Sequence, residues 1–286
     1  MSQKQEFAVR TISSGFGAII EGVDLSVGLA EPDFVRIRDA FHRHGVIFFQ
    51  DQDLTPQQHL DFATRWGEIN VNRFFQSVEG HPQIAEVRKE PDQKINIGGG
   101  WHTDHSYDEI PALGSMLYAR EVPQSGGDTM FADMARAWEG LSAGLRRTLS
   151  GMRAIHSGRH VFGTQAITQE KSNKDDISGR IGNPEAVPQD VTHPVMIHHP
   201  DTGREILYVN PGFTIGFEGW EPGESAALLR YLFKQARRPE NTIRYQWARG
   251  SIALWDNRAT WHYALNDYHG ERRLMHRITI EGVPLS

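Results

Sequence analysis

The feature that most constrains how this chain can fold is a pair of short motifs that lie far apart in the sequence. The first contains His102-Thr103-Asp104, and the second ends at His262, more than half the chain later. If residues 101–107 form a strand, the alternation of side chains puts His102 and Asp104 on one face and turns Thr103 away. The fold must therefore bring two histidines and one carboxylate together from distant parts of the sequence.

A set of two histidines and one carboxylate suits a metal ion. Such a set occupies one face of a six-coordinate ion and is diagnostic of non-heme Fe(II) oxygenases. Zinc could fill the same ligands and activate a water, so a non-redox zinc hydrolase is the alternative function, and a catalytically silent metal-binding protein is a third. Each residue could also be an ordinary hydrogen-bonded histidine or aspartate. Because the chain has 14 histidines and no cysteine, any metal must be held by His, Asp or Glu.

The composition is that of a globular enzyme with many loops. Hydrophobic residues make up 38% and charged residues 23%, and 28 glycines and 14 prolines suit a β fold. The formal net charge of -6 disfavours binding to nucleic acid or to an anionic membrane. Residues 1–6 are polar and no apolar run reaches transmembrane length, so we expect a cytoplasmic protein. Because the ligands must share one site, we expect residues 1–286 to form a single domain.

Sequence periodicity predicts a β fold with helices outside it. Glu31-Pro32 opens a helix that Gly45 ends, and Thr55-Pro56 opens another that Gly67 ends. Later helices are predicted at 133–149 and 224–237. Strands are predicted at 46–49, 113–120, 128–132, 193–199, 205–210, 242–248, 252–256 and 274–281. This arrangement predicts a β sandwich or jelly roll decorated by helices.

The sequence does not define the structure of two polar segments. The stretch 163–189 lacks an apolar period, and we expect either a mobile lid over the active site or a surface insertion. His198-His199 lies in a predicted strand and turn and shows no evident partner.

The chain resembles the Fe(II)/2-oxoglutarate-dependent dioxygenases of the taurine dioxygenase (TauD/TfdA) family. The similarity runs from about Phe7 to Gly282, in the family's order and spacing. It rests on four motifs, which are His102-Thr103-Asp104, Gly126-Gly127-Asp128-Thr129, Trp255-Asp256-Asn257-Arg258 before His262, and Arg272-Arg273-Leu274-Met275-His276-Arg277. The resemblance implies a mainly β fold, with a double-stranded β-helix (jelly roll) core and flanking α-helices. It also implies a homo-oligomer, either a dimer or a tetramer.

The same resemblance implies a reaction and a cofactor site. Fe(II), 2-oxoglutarate as cosubstrate and O2 would hydroxylate a small organic substrate and release succinate and CO2. His102, Asp104 and His262 match the metal ligands. Thr129 and Arg273 match the anchor for the distal carboxylate of 2-oxoglutarate, for which a planar guanidinium is well suited. The alternative is that Thr129 is an ordinary strand residue and Arg273 a surface charge.

Arg277 and the pocket walls bear on the substrate. Arg277 matches the residue that binds the substrate's acidic group, and its alternatives are an ion pair or support of the 2-oxoglutarate site. The other substrate-binding positions are Asn72, Phe75, His105, Tyr107, Phe162 and Phe213. Asn72 and Phe75 stand where taurine dioxygenases carry histidine and tyrosine, so contacts to the amino group of taurine are missing. We expect a larger or more apolar anion of the sulfonate, alkyl sulfate or aryloxyalkanoate type, unless the aromatic residues only pack the core.

Overall fold

The computed structural model describes residues 6–13, 15–164 and 181–285. The described strands are β1 (Ala8–Ser13), β2 (Phe16–Glu21), β3 (Val46–Phe49), β4 (Ile69–Asn70), β5 (Ser77–Val78), β6 (His81–Lys89), β7 (Gly114–Glu121), β8 (Thr129–Asp133), β9 (Arg153–His156), β10 (Val191–Pro194), β11 (Met196–His198), β12 (Glu205–Leu207), β13 (Thr214–Phe217), β14 (Thr242–Tyr245), β15 (Ile252–Asp256), β16 (Thr260–Ala264) and β17 (Arg273–Ile280). The described helices are α1 (Glu31–His44), α2 (Pro56–Ala63), α3 (Met134–Glu139), α4 (Ala143–Leu149), α5 (Arg159–Phe162) and α6 (Pro222–Ala236).

The largest sheet has nine strands and forms one wall of the core. Its strand order is β1-β2-β3-β15-β7-β17-β6-β5, and β4 pairs with the far end of β17. The neighbouring strands are antiparallel except for β2 and β3, which are parallel. Helices α1 and α2 cover its outer face, where Phe41 and Leu60 join Ile47 and Met116 in one apolar cluster.

A second sheet, of order β14-β8-β16, faces the large sheet across an apolar layer. Phe131 of β8 lies 5.6 Å from Phe48 of β3 and 5.7 Å from Trp255 of β15, between ring centroids. Because β3 is covered on both faces, all four of its residues are apolar and buried. Two facing sheets with flanking helices are the jelly roll that the sequence predicted.

The remaining described strands and helices pack beside the second sheet. Strands β10-β9-β13 form one small sheet and β11-β12 another. Their apolar side chains join α3, α4 and α6 in a third cluster, which includes Trp138, Leu207, Leu232 and Trp261. None of the described helices is long and apolar enough to cross a membrane.

Most predicted elements are present, but several boundaries were wrong. Helix α2 ends at Ala63 rather than at Gly67. The helix predicted over 133–149 is two helices, because the Ser142 side chain caps a new helix by accepting from the Leu145 backbone N–H. The strand predicted over 193–199 is split between two sheets, β10 and β11. Of the predicted lid, residues 165–180 lie outside the described residues.

Candidate active site

The three predicted metal ligands lie together between the two facing sheets. Nε2 of His102 is 3.7 Å from Oδ1 of Asp104, and Nε2 of His262 is 3.7 Å from Oδ2 of the same carboxylate. One ligand atom from each residue lies within 4.8 Å of the other two. Among the described residues, this is the group of histidine and acidic side chains that could hold a metal ion.

The local backbone differs from the predicted strand over 101–107. His102 and His262 form a single antiparallel bridge, with N–H···O distances of 3.1 and 2.8 Å. The chain then turns at Asp104, and His105 has a left-handed φ of 57° that cannot continue a strand. The prediction of a strand was therefore wrong, although the two ligands do face a common point.

Asp104 is held by side chains of the large sheet. Its Oδ2 accepts a hydrogen bond from Ser115 Oγ of β7 at 2.8 Å and pairs with Arg277 Nη2 of β17 at 2.8 Å. Ser115 in turn accepts from Asn257 Nδ2 at 3.0 Å. The sequence reasoning missed Ser115, which has no motif of its own, whereas Asn257 belongs to a motif that matched the family.

His102 is positioned by close backbone contacts. Its Nδ1 lies 2.8 Å from the Gly100 carbonyl, which fixes the ring and turns Nε2 toward Asp104. A Cβ on Gly212 would come within 2.6 Å of the His102 Cβ, so only glycine fits beside the ligand. The ring orientation is thus set before any metal binds.

The electrostatics of the three residues suit a divalent cation. Burial raises the pKa of Asp104, but Arg277 and the neighbouring imidazoles outweigh it and hold the pKa well below its usual range. Burial lowers the pKa of His102, and burial and His102 lower that of His262. The site thus offers two neutral imidazoles and an ionised carboxylate, the protonation states that bind metal. These donors fit Fe(II), and His102, Asp104 and His262 would hold it.

A second feature is a buried guanidinium, that of Arg273. Arg273 is only 4% exposed, and its Nε and Nη2 have no hydrogen-bond partner among the described residues. Burial lowers the pKa of Arg273, although Tyr268 and Asp128 partly offset this. A surface location for Arg273 is therefore excluded. Thr129 is buried as well, and its Oγ1 accepts a hydrogen bond from Trp247 Nε1 at 2.9 Å.

A cavity of about 380 Å³ opens beside the metal ligands His102 and Asp104. All seven predicted substrate-binding residues line it, namely Asn72, Phe75, His105, Tyr107, Phe162, Phe213 and Arg277. Tyr107, Phe162 and Phe213 also pack with Phe74 in one aromatic cluster. The aromatic residues therefore both pack together and face the cavity.

Two of these residues are engaged in internal hydrogen bonds. Asn72 Oδ1 accepts from the backbone N–H groups of Phe74 and Phe75, both at 2.9 Å, so it shapes this turn. His105 Nδ1 lies 2.8 Å from the carboxylate of Asp108, which also pairs with Arg73 at 2.5 Å. The structure thus brings both side chains to the cavity wall and fixes their orientation.

Arg277 has partners but keeps one free donor. Its Nη2 pairs with Asp104 and is 3.3 Å from Ser115 Oγ. Arg277 therefore forms an ion pair, which was one of the alternatives to a substrate-binding role. Its Nε is buried and has no hydrogen-bond partner among the described residues. Arg277 can therefore support Asp104 and still offer an N–H to a ligand in the cavity.

The fold and this site together define an iron- and 2-oxoglutarate-dependent dioxygenase. The family described as "Taurine catabolism dioxygenase TauD, TfdA family" matches residues 8–279, and the chain belongs to this family. This membership favours oxygen chemistry with Fe(II) and 2-oxoglutarate over the zinc hydrolase that the three ligands alone leave open.

Individual relatives agree with the family assignment. The chain is 32% identical to an alpha-ketoglutarate-dependent sulfate ester dioxygenase of Pseudomonas putida, over 97% of this chain and 90% of the relative. It is 30% identical to an (S)-phenoxypropionate/alpha-ketoglutarate-dioxygenase of Sphingobium herbicidovorans, over 98% and 96% of the two chains. The crystal structure of a taurine dioxygenase from Burkholderia xenovorans is similar with a TM-score of 0.78 and 34% identity, covering 96% and 91%.

Proposed function

We propose that this dioxygenase hydroxylates a small organic anion of the sulfonate, alkyl sulfate or aryloxyalkanoate type, and that residues 1–286 act as one domain. In this proposal His102, Asp104 and His262 hold the iron. Thr129 and Arg273 bind the distal carboxylate of 2-oxoglutarate. The cavity beside the metal ligands, which Arg277 lines, binds the substrate.

The observation that carries the cosubstrate site is the buried Arg273, two of whose nitrogens have no hydrogen-bond partner among the described residues. Burying a guanidinium without a partner costs several kcal/mol, so a fold keeps one where a ligand supplies the countercharge. Two orphaned N–H groups of Arg273 match the two oxygens of a carboxylate. Thr129 offers a buried hydroxyl nearby, because Trp247 contacts both Thr129 and Arg273.

The charge balance of the site supports an anionic substrate. Arg277, which lines the cavity, pairs with Asp104, and Arg273 is a second buried guanidinium. Asp108 is balanced by its pair with Arg73. Because Fe(II) and the 2-oxoglutarate dianion would cancel each other, the guanidinium of Arg273 would leave a positive charge in this low-dielectric site. A monoanionic substrate would neutralise it.

The shape and chemistry of the cavity support the same substrate class. Relatives act on a sulfate ester and on phenoxypropionate, which are anions with an apolar part. Phe75, Tyr107, Phe162 and Phe213 give this cavity an aromatic wall. Taurine is disfavoured because its amino group would lack an acceptor. The side-chain carbonyl of Asn72 already accepts from two backbone N–H groups, and the Phe75 side chain has no polar atom.

The chain's own residues would bind the substrate, orient it and shield it from water. When bound, Fe(II) and 2-oxoglutarate supply the oxidising power that hydroxylates a substrate carbon with O2. Arg277 would hold the anionic end through its Nε, because its Nη2 is engaged by Asp104. The aromatic wall would orient the apolar part and exclude water.

Matched titrations of two ligands and two variants test the proposal. We expect Arg273→Ala to weaken 2-oxoglutarate binding by roughly 30-fold to several thousand-fold, since losing one partner of a buried charge pair costs about 2–5 kcal/mol. We expect Arg277→Met to weaken binding of an anionic aryloxyalkanoate by a similar factor and that of its uncharged amide little.

Metal affinity is measured alongside, because Arg277 also contacts Asp104. If Arg277→Met loses 2-oxoglutarate and retains the anionic substrate, Arg277 belongs to the cosubstrate site and the case for an acidic substrate fails. Unchanged 2-oxoglutarate binding by Arg273→Ala would remove the cosubstrate anchor.

A further inference from the structure

Trp247 touches both residues of the proposed 2-oxoglutarate anchor. It follows β14, whose Tyr245 pairs in register with Thr129 of β8. Its indole Nε1 lies 2.9 Å from Thr129 Oγ1, in a fully buried hydrogen bond. The Arg273 guanidinium lies 5.8 Å from the centre of the indole ring, within cation–π range. Trp247 was not singled out by the sequence.

The direction of this hydrogen bond has a chemical consequence. An indole N–H can only donate, so Thr129 Oγ1 must be the acceptor. A hydroxyl that accepts from Trp247 is biased to use its own hydrogen elsewhere. No described residue accepts that hydrogen, and the two orphaned nitrogens of Arg273 are also donors. The unmatched polar groups of these two side chains are thus donors.

A set of unmatched donors distinguishes a carboxylate from an amide. A carboxylate presents only acceptors, whereas an amide turns one NH2 group toward the donors and leaves them unmatched. Leaving buried donors without acceptors is what gives hydrogen-bonding sites their strongest discrimination.

From these contacts we infer that Trp247 is a specificity-determining positioning residue. By donating to Thr129 Oγ1, it sets the threonine hydroxyl as a donor, so the site selects a 2-oxo acid with a distal carboxylate over the corresponding 5-amide. The inference rests on the proposed function, since it requires Thr129 and Arg273 to form the cosubstrate anchor.

The test compares two ligands in equilibrium binding. The dissociation constants of 2-oxoglutarate and of its 5-amide are measured by calorimetry, with Mn(II) in place of iron and without oxygen. Trp247→Phe keeps an aromatic ring near Arg273 and removes the N–H. We expect its preference for the carboxylate over the amide to fall about threefold to tenfold, the effect of one hydrogen bond. The freed Thr129 hydroxyl can then either donate or accept.

A second cycle shows whether Trp247 acts through Thr129. In a Thr129→Val background the preference is already reduced, and adding Trp247→Phe should change it little. Trp66→Phe is the matched control, because Trp66 packs against the α1 and α2 core cluster and its Nε1 is buried with no partner among the described residues. It should keep the wild-type preference. Trp247→Leu provides a second donor-free variant, so the result does not depend on one replacement folding.

The outcomes distinguish an error in the 2-oxoglutarate anchor from an error in the role of Trp247. If Arg273→Ala binds 2-oxoglutarate as the wild type does, the anchor itself is misassigned. If Arg273→Ala loses 2-oxoglutarate while both donor-free variants at Trp247 keep the full preference, the anchor stands and the role of Trp247 is overturned. A purely structural role would lower Tm and weaken both ligands equally, which would also overturn it.

Discussion

At the scale of single residues, the metal site depends on how firmly Asp104 is held. The carboxylate is 5% exposed, and one of its oxygens carries contacts from both Ser115 and Arg277. Outer partners of this kind orient a ligand and tune its basicity, although they never touch the metal. Ser115 is itself fully buried, so its hydroxyl has no water to replace Asp104 as acceptor.

Removing the Ser115 hydroxyl should therefore weaken the metal site. For Ser115→Ala we expect metal affinity to fall about 10-fold to 100-fold, the usual effect of losing such a partner. Direct titration with Fe(II) or Mn(II) in the absence of oxygen measures it. Ser77→Ala, at an exposed position on β5, is the control. Equal metal affinity in Ser115→Ala and wild type would mean that Arg277 alone fixes the carboxylate.

At the scale of elements, the turn between β15 and β16 positions His262. Asp256 closes this turn by accepting from Arg258 Nε at 2.8 Å, from Arg258 Nη2 at 2.7 Å and from the Arg258 backbone N–H at 2.9 Å. His199 contacts the same carboxylate at 2.8 Å, so the expectation that this histidine has no partner was wrong. Burial raises the pKa of Asp256, but Arg258 and His199 outweigh it and hold the pKa well below its usual range.

Neutralising this turn should destabilise the fold and disturb the site together. For Asp256→Asn we expect a loss of about 3–5 kcal/mol in the free energy of unfolding, because the buried Arg258 loses its main countercharge. Urea denaturation measures it, and metal titration shows the effect on His262. The exposed pair of Arg238 and Glu240, 3.8 Å apart, gives the control Glu240→Gln, which should change stability by less than about 0.5 kcal/mol. Equal stability of the two variants would contradict a structural role for the turn.

At the scale of the whole molecule, buried histidines make the fold sensitive to acid. His59 of α2 is fully buried against Tyr118, with 5.5 Å between ring centroids, and neither of its nitrogens has a hydrogen-bond partner among the described residues. Burial lowers the pKa of His59 from 6.5 to about 3, and burial lowers that of His276 to about 4. Below pH 6.5 these histidines bind protons in the unfolded chain but not in the folded chain. Stability should therefore fall as the pH drops from 6.5 toward 3.

Replacing His59 should remove much of this acid sensitivity. For His59→Leu we expect a smaller loss of Tm than in the wild type between about pH 7.5 and about pH 5, because one buried proton acceptor is gone. We also expect a gain of roughly 1–3 kcal/mol at neutral pH, since two unsatisfied buried nitrogens are removed. Thermal melting at both pH values measures these effects, with the exposed His269→Leu as control. A parallel shift of wild type and His59→Leu would exclude His59 as a source of the sensitivity.

The dimer or tetramer expected from the family resemblance stays a prediction at this scale, as does a cytoplasmic location. The single domain also stays a proposal. In the described packing, β7 and β17 of the large sheet hold Asp104 while β16 of the second sheet carries His262. Cutting the chain between the two motifs would separate these contacts.

The sequence by itself determined the chemistry of the site. His102, Asp104 and His262 are the residue types that bind Fe(II), and Arg273 and Arg277 share one strand face because side chains alternate along β17. The ligand set followed from residue type, and its assignment to Fe(II) and 2-oxoglutarate followed from the resemblance to the TauD/TfdA family. The jelly roll also followed, since strands such as β3 and β15 are apolar enough to be recognised alone.

Only the tertiary structure decided which residues support that chemistry. Ser115 reaches Asp104, and Trp247 reaches Thr129, across strands that are distant in sequence. The polar strand β6 exists because β17 pairs with it, and the turn after His102 replaces a strand because Asp104 is drawn to Ser115 and Arg277. Such contacts depend on the register of strand pairing, whose free energy comes from neighbours elsewhere in the chain and leaves no local periodicity to read.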